Sequence, residues 1–287
     1  WSARWERSGH KDDPEHPELK AHRIIEDSEK EILEKMLEAD GDFTVTQNDR
    51  DSTEKPPLNF DLTSLQREAN NMWSWSARRT LSVAQELYDT HKLTTYPRTD
   101  SRFLPEDMME SISKTIRQLG AQDKLNSHSK KLVDDGLKNV KRNFDNSKVS
   151  DHYAIIPTGK IPPSGLSSDA MKLYELIARQ FLASFHPESV WKVEKRTVSK
   201  EGQNFVKEAR SMKTAGWRAV RPKKQNLPEG WGQLPSNPAD ATLASHEFKE
   251  EKTKPPGRLK EAGLLRLMEH AGKKIEDEEL AAAMKGK

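Results

Sequence analysis

The sequence predicts an α+β, multidomain chain in which a helical lobe of winged-helix type is inserted into a β-sheet domain built from both flanks. Three observations lead there. Segments before residue 47 and after residue 190 alternate apolar and polar residues with the period of two that suits a strand. Between about 58 and 188 the apolar residues recur at three and four, the spacing of an amphipathic helix. Apolar residues (AVILMFWYC) make up only 33% of the 287 residues and charged residues another 33%, too little for one thick core. Seven tryptophans and eight phenylalanines exclude a merely disordered chain, so thin lobes forming an open, arched body are expected.

The elements follow in order. Trp1, Ala3 and Trp5 share one side of a first strand, and a helix is expected over 18–38 with Ile25, Ile32, Leu33 and Met36 inward. A short strand holds Phe43 and Val45, and the polar stretch 49–57, ending Lys55-Pro56-Pro57, reads as a linker. A helix with Leu65, Ala69 and Met72 on one stripe comes next, then one capped by Ser76 with Thr80, Ala84, Leu87 and Tyr88 inward. A third runs from near Pro105 to Gly120 over Met108, Ile112, Ile116 and Leu119. A fourth, capped by Ser168, buries Leu173, Ile177, Phe181 and Phe185. Strands are expected over 190–198, 204–212 and 216–220, then helix with Leu264, Leu265 and Met268 inward, and again with Ile275, Leu280 and Met284. The domain boundaries read as 1–57 and 189–253 for the two parts of the sheet domain, 58–188 for the helical lobe and 254–287 for the start of a further helical domain.

No run approaches the ~18 apolar residues of a membrane-spanning helix, so no membrane partner is expected. With no cysteine, disulfides and thiolate-bound metals are excluded. The chain starts at Trp1 and stops at Lys287 inside a helical pattern, which suggests a piece of a longer protein. A net charge of +2 conceals a division: residues 1–110 carry 15 basic and 24 acidic groups, residues 111–220 carry 20 and 11. A polyanion facing the middle of the chain fits this division, as do charges on solvated helices.

The segment 93–101 has too few apolar residues to be core and should lie exposed at a lobe edge. A tyrosine hydroxyl, with a reference pKa of about 10, is a weak nucleophile at neutral pH and needs a nearby cation or base to attack a phosphodiester. Arg98, two residues after Tyr96 in an extended segment stiffened by Pro97, projects on the same side. Its fork could hold the phosphate and stabilise charge that builds there. A surface tyrosine beside a solvated arginine has the same pattern. His152, beside Asp151, fits a structural hydrogen-bond partner or a donor to a phosphate. Asp100 and Asp151 fit orienting or turn-capping roles, and Arg78 and Arg79 fit DNA phosphate contacts or plain surface charges.

Tyr96-Pro97-Arg98-Thr99-Asp100-Ser101, preceded by Thr94-Thr95, resembles the active-site signature of the type IA DNA topoisomerases, in the form of their topoisomerase III members. Upstream, Pro56 to Asn70 and Ser76-Ala77-Arg78-Arg79-Thr80 are similar to the family's stretch before the tyrosine; downstream, Asp151-His152-Tyr153-Ala154-Ile155-Ile156-Pro157-Thr158 resembles its histidine motif. The resemblance extends over nearly the full chain and is weakest over 6–54. It implies a CAP-like winged-helix lobe inserted in an antiparallel β-sheet arch. It further implies a monomeric, cytoplasmic, ATP-independent enzyme that cuts one DNA strand through a 5′-phosphotyrosine, passes a strand and reseals the gap. Under it Tyr96 is the nucleophile, Arg98 holds the scissile phosphate and His152 organises the site, with Arg78, Arg79, Thr99, Asp100, Ser101 and Asp151 at the single-stranded DNA. Tyr153 departs from the histidine or glutamate usual at its position, which bears on any proton relay there.

The family also implies Mg2+ held by an acidic Toprim domain. The one Asp-x-Asp, Asp49-Arg50-Asp51, lies in a polar stretch with no buried strand to aim it, so no metal is expected within this chain, which should then cut poorly alone. A tyrosine recombinase or relaxase would need clustered catalytic Arg and His residues, and the nine histidines are scattered. A non-catalytic single-stranded DNA-binding module remains the reading from another class, with Tyr96 incidental or stacked on a base.

Overall fold

Strands from both flanks join in one five-stranded sheet. The computed structural model describes residues 1–270 apart from 15, 17, 139, 226, 253 and 256. Two units separate, one of residues 1–54, 190–214 and 224–256, the other of residues 55–189, 215–223 and from 257 onward.

In the first unit, β1 (Arg4–Glu6), α1 (Asp27–Glu38) and β2 (Phe43–Glu54) precede β3 (Ser189–Lys200), β4 (Gln203–Thr214) and β5 (Ala239–Ala241). The sheet order is β1-β4-β3-β2-β5. β1–β4, β3–β4 and β2–β5 pair antiparallel. Lys200 pairs with Gln203 across Glu201 and Gly202, which both hold positive φ (48° and 76°), the primed turn whose twist suits a two-residue hairpin. Trp5, Phe43, Val198 and Phe205 share a cluster with Leu33 and Met36 of α1. Further along, the fully buried Arg196 guanidinium lies 4.0 Å from the Trp231 ring and 5.2 Å from that of Trp1, while its Nε donates to Gln47 Oε1 at 2.8 Å.

Several expectations are corrected here. The helix expected over 18–38 begins only at Asp27, because the residues before it close turns, with Arg23 Nη1 donating to Glu18 O at 2.8 Å. Ile25 and Ile32 are exposed; a narrow stripe of Leu33 and Met36, with Leu37 half-buried beside them, meets the sheet. The stretch 49–57 is not a linker up to Glu54 but the second half of β2, bound to its neighbours by charge: Asp49 with Lys192 at 2.9 Å, Asp51 with Lys213 at 2.6 Å, Arg50 with Glu208 at 3.4 Å.

The second unit is helical: α2 (Leu62–Trp73), α3 (Ala77–Asp89), α4 (Met109–Leu119), α5 (Asp123–Asp135), the single turn α6 (Val140–Asn143), α7 (Ser168–Phe185) and α8 (Glu261–Glu269). Asp61 caps α2 reciprocally with Ser64: its carboxylate accepts from Ser64 N at 2.6 Å and its own N–H donates to Ser64 Oγ at 3.1 Å. Ser74, in the left-handed region at φ 57°, stops α2, and Ser76 caps α3 by accepting from Arg79 N. A three-residue turn thus joins two helices, and α7 supplies the core beneath with Leu173, Ile177, Phe181 and Phe185, all fully buried.

The cap of α7 is Ser167, not Ser168, its Oγ accepting from Ala170 N at 3.1 Å. A 3-10 turn, Glu106–Met108, separates Pro105 from α4, and α5 is an additional helix that buries only Leu125, Ser129 and Leu132. Met72 lies on the outer side of α2. The expected strand 216–220 is instead a 3-10 turn, Gly216–Ala219, whose N–H at Trp217 donates to Pro187 O at 2.9 Å. Gly216 holds φ 50°, and a Cβ there would meet Glu188 O at 2.2 Å. Leu264 and Met268 of α8 are exposed and Ala262 takes the inner place, its N–H donating to Asn70 Oδ1 at 3.1 Å. The stripe through Ile275, Leu280 and Met284 lies outside the described residues.

Candidate active site

Two chain segments meet at the edge of the helical unit because a single hydroxyl is used twice. Thr95 Oγ1 donates to Ala154 O and accepts from Ile156 N, both at 2.9 Å, while Thr95 N donates to Ile156 O at 2.9 Å. Thr94 bridges Pro157 and Phe60 bridges Ile155 in antiparallel fashion, and Thr99 Oγ1 donates to His152 O at 3.0 Å. The segment that carries Tyr96 is therefore held residue by residue against the one that carries His152.

Tyr96 is half-buried, Arg98 and His152 are exposed. The Tyr96 ring packs against the His152 imidazole with centroids 4.4 Å apart, and meets the Tyr88 ring edge-on at 5.3 Å. With the Gln85 amide turned so that its oxygen faces the guanidinium, that oxygen accepts from both Nε and Nη2 of Arg98, each at 3.1 Å. Gln85 and Tyr88 are three apart on α3 and share a face. Tyr96 and Arg98 thus contact the same side of the same helix, which fits their expected projection to one side. The lysine after α3, Lys92, has its ammonium 5.2 Å from the Tyr88 ring centroid.

Burial pushes the Tyr153 phenol above its ordinary range, with Tyr88 as a lesser cause. Tyr153 packs against the core of the helical unit, so the residue at this unusual motif position is partly a core side chain.

The remaining expected residues divide. Arg78 is exposed on α3. Arg79 is exposed too, but its fork is taken by Asp169 and its guanidinium lies 4.7 Å from the Trp75 ring. Asp100 is exposed and accepts from Ser150 Oγ at 3.1 Å; Asp151 is exposed. Thr99 and Ser101, expected at the DNA, are turned inward: Ser101 Oγ donates to Lys148 O at 2.7 Å, and both hydroxyls brace the loop. Sequence reasoning missed Gln85, Lys92 and Thr95; the signal for the first was its spacing of three from Tyr88 on the helix just before the motif.

The described residues do not fit Mg2+. Asp49 and Asp51 each pair with a lysine on an exposed strand, and among the described residues no group of three or more His, Asp or Glu side chains is placed to hold a metal. No described helix is long and apolar enough to cross a membrane.

A family model described as DNA topoisomerase matches residues 1–273. DNA topoisomerase 3 of Shouchella clausii is 35% identical over 266 residues, 90% of this chain and 36% of that protein. DNA topoisomerase 3 of Bacillus subtilis is 36% identical over 230 residues, 78% of this chain and 32% of that protein. The chain thus spans about a third of the length of these relatives. Full-length topoisomerase I from Thermotoga maritima superposes with a TM-score of 0.62 at 24% identity, covering 93% of this chain and 43% of that one, a likeness of fold.

Proposed function

This chain belongs to the type IA DNA topoisomerase family, and we propose from that premise that it carries the nucleophile half of a site that cuts and reseals one DNA strand. The observation that supports this best is the packing of the Tyr96 ring on His152 and, along one face of α3, the placing of Tyr96 at Tyr88 and of the Arg98 guanidinium at Gln85. Tyr96 Oη gives up its proton to solvent and attacks the phosphorus, the bond from phosphorus to the 3′ oxygen breaks, and the 3′ oxygen takes up a proton and leaves as a hydroxyl. DNA remains on Tyr96 through its 5′ phosphate. Return attack by the 3′ hydroxyl releases the tyrosine, so the ester keeps the bond energy and no ATP is needed. Arg98 holds the non-bridging oxygens of that phosphate, where its fork offsets the charge of the pentavalent state. His152 hydrogen-bonds the same group.

The substrate is single-stranded DNA, with Arg78, Asp100 and Asp151 at the strand and Thr99 and Ser101 bracing the loop. In the whole protein the activity is relaxation or decatenation by a cytoplasmic monomer, with Mg2+ bound outside this chain. The two-part domain division at 1–57 and 189–253, with the lobe 58–188 between and a further helical domain from 254, belongs to the same reading.

Covalent trapping tests it. The whole protein and this chain are each mixed with 5′- or 3′-labelled single-stranded DNA and Mg2+, then denatured and sized. Trapping by the whole protein through a 5′ phosphate, lost in Tyr96→Phe, with little or none by this chain, is the expected result. Trapping by neither leaves Tyr96 without a role, and the DNA-binding module becomes the better reading.

A further inference from the structure

Among the described residues three non-glycine positions hold positive φ: Ser74, Lys92 and Glu201. Ser74 stops α2 and Glu201 opens the hairpin turn, each a position whose backbone explains itself. Lys92, at φ 54°, lies just past α3, where Leu93 N donates to Leu87 O at 2.9 Å and His91 N to Glu86 O at 3.2 Å. Such a stop requires the left-handed backbone and is ordinarily met by glycine or asparagine. It does not require a lysine side chain.

The side chain has a definite place. Lys92 O accepts from Thr158 Oγ1 at 2.8 Å and Leu93 O from Thr158 N at 2.9 Å, so its backbone is pinned to the segment that carries His152. The ammonium lies over the Tyr88 ring, and Tyr88 meets Tyr96 edge-on. Lys92 is exposed, and among the described residues no carboxylate pairs with it; the nearby Glu86 is engaged by His91 at 3.4 Å, and Asp89 is exposed at the end of α3. Two cations therefore meet one face of α3, Arg98 at Gln85 and Lys92 at Tyr88, on residues about 4.5 Å apart in helix rise.

We infer that Lys92 is a second phosphate-binding residue of this site, its ammonium contacting the backbone phosphate next to the one held by Arg98. A residue kept in an unfavourable backbone conformation, with its ammonium over the ring that Tyr96 packs against, is accounted for by such a contact. The inference rests on reading Tyr96 as the nucleophile, and it fails separately from that reading. Trapping at Tyr96 in the whole protein decides the one; affinity and salt dependence decide the other.

The probe is a short fluorescein-labelled oligothymidylate titrated with this chain at a series of KCl concentrations, for the natural sequence and for Lys92→Gly, Lys92→Gln and Lys92→Arg. Lys92→Gly relieves the backbone, so its melting temperature stays level or rises. Its affinity should nevertheless fall about five-fold at low salt, and the slope of log K against log salt should flatten by about 0.7, one phosphate contact on a single strand. Lys92→Gln, which keeps the strained backbone, should lose as much, and Lys92→Arg should retain both affinity and slope. Unchanged affinity and slope in the glycine and glutamine variants would overturn the inference, as would an arginine variant that behaves like them or a natural chain that does not bind the oligonucleotide.

Discussion

The rings of Tyr96 and His152 lie 4.4 Å apart at 49° to one another, a packing contact between two side chains that come from segments far apart in the chain. Packing alone holds the phenol; the polar edge of the imidazole is what could serve a phosphate. His152→Phe keeps the former and removes the latter. In the whole protein, single-turnover trapping should slow by about 100-fold in both His152→Phe and His152→Ala. The melting temperature should change little, since His152 is exposed. Full activity in the phenylalanine variant would reduce His152 to a packing residue.

Arg98 presents two N–H groups to one Gln85 oxygen, a geometry that a lysine ammonium does not reproduce. Arg98→Lys should therefore lower the trapping rate by about 100-fold in the whole protein, close to the loss in Arg98→Ala. Gln85→Leu frees the guanidinium without removing it and should lower the rate less, about ten-fold. A lysine variant at natural rate would show that charge alone suffices.

The motif around Tyr96 was legible because its chemistry is contiguous: tyrosine, proline and arginine are neighbours in sequence and stay neighbours in space. Helix stops were legible for the same reason, as at Gly120. What lay hidden depended on partners distant in the chain. The strand 49–54 has polar residues on both sides, and partners far along the sequence, Lys192, Lys213 and Glu208 among them, make its charges acceptable. Helix α5 buries three side chains, one of them a serine whose hydroxyl bonds Ile116 O, so its apolar stripe is too thin to read. Gln85 lies in a helix whose pattern announces a core; its spacing of three from Tyr88 is the one local sign of a shared face, and the arginine it meets lies beyond the helix end.

Backbone space at Gly216 gives a stability prediction. A methyl group there would overlap Glu188 O at a φ of 50°, whereas Gly165 has nothing within 4 Å of the corresponding point. Gly216→Ala should cost about 2–4 kcal/mol and Gly165→Ala less than about 0.5, as measured by urea unfolding. Equal midpoints for the two variants would contradict the close approach.

His186 is fully buried and its pKa is pushed down to about 4, first by desolvation and then by the neighbouring His128, whose own pKa is also lowered by burial. Lys131 works in the same direction and Asp135 against it. The unfolded chain takes up this proton near the ordinary value of about 6.5, so it binds more protons than the folded chain in between. The stability contribution is complete above about 6.5 and is lost as the pH falls toward 4. Urea midpoints should decline over that interval, and less steeply in His186→Gln; a parallel decline in that variant would assign the effect to other groups.

Because Thr95 is fastened directly to Ala154 and Ile156, the register of the Tyr96 segment against the His152 segment does not pass through the fifty-odd residues that connect them. Helices α4 and α5 lie between the two segments and belong to the lobe's core, with Ile112, Ile116, Leu119, Leu125 and Leu132 buried and Gln122 in their joining turn donating to Tyr174 Oη at 2.8 Å. Such a layout gives the pairing of Tyr96 with His152 its own fastening, so that a loosening of α5 is felt first in the stability of the lobe and only afterwards in the spacing of those two rings.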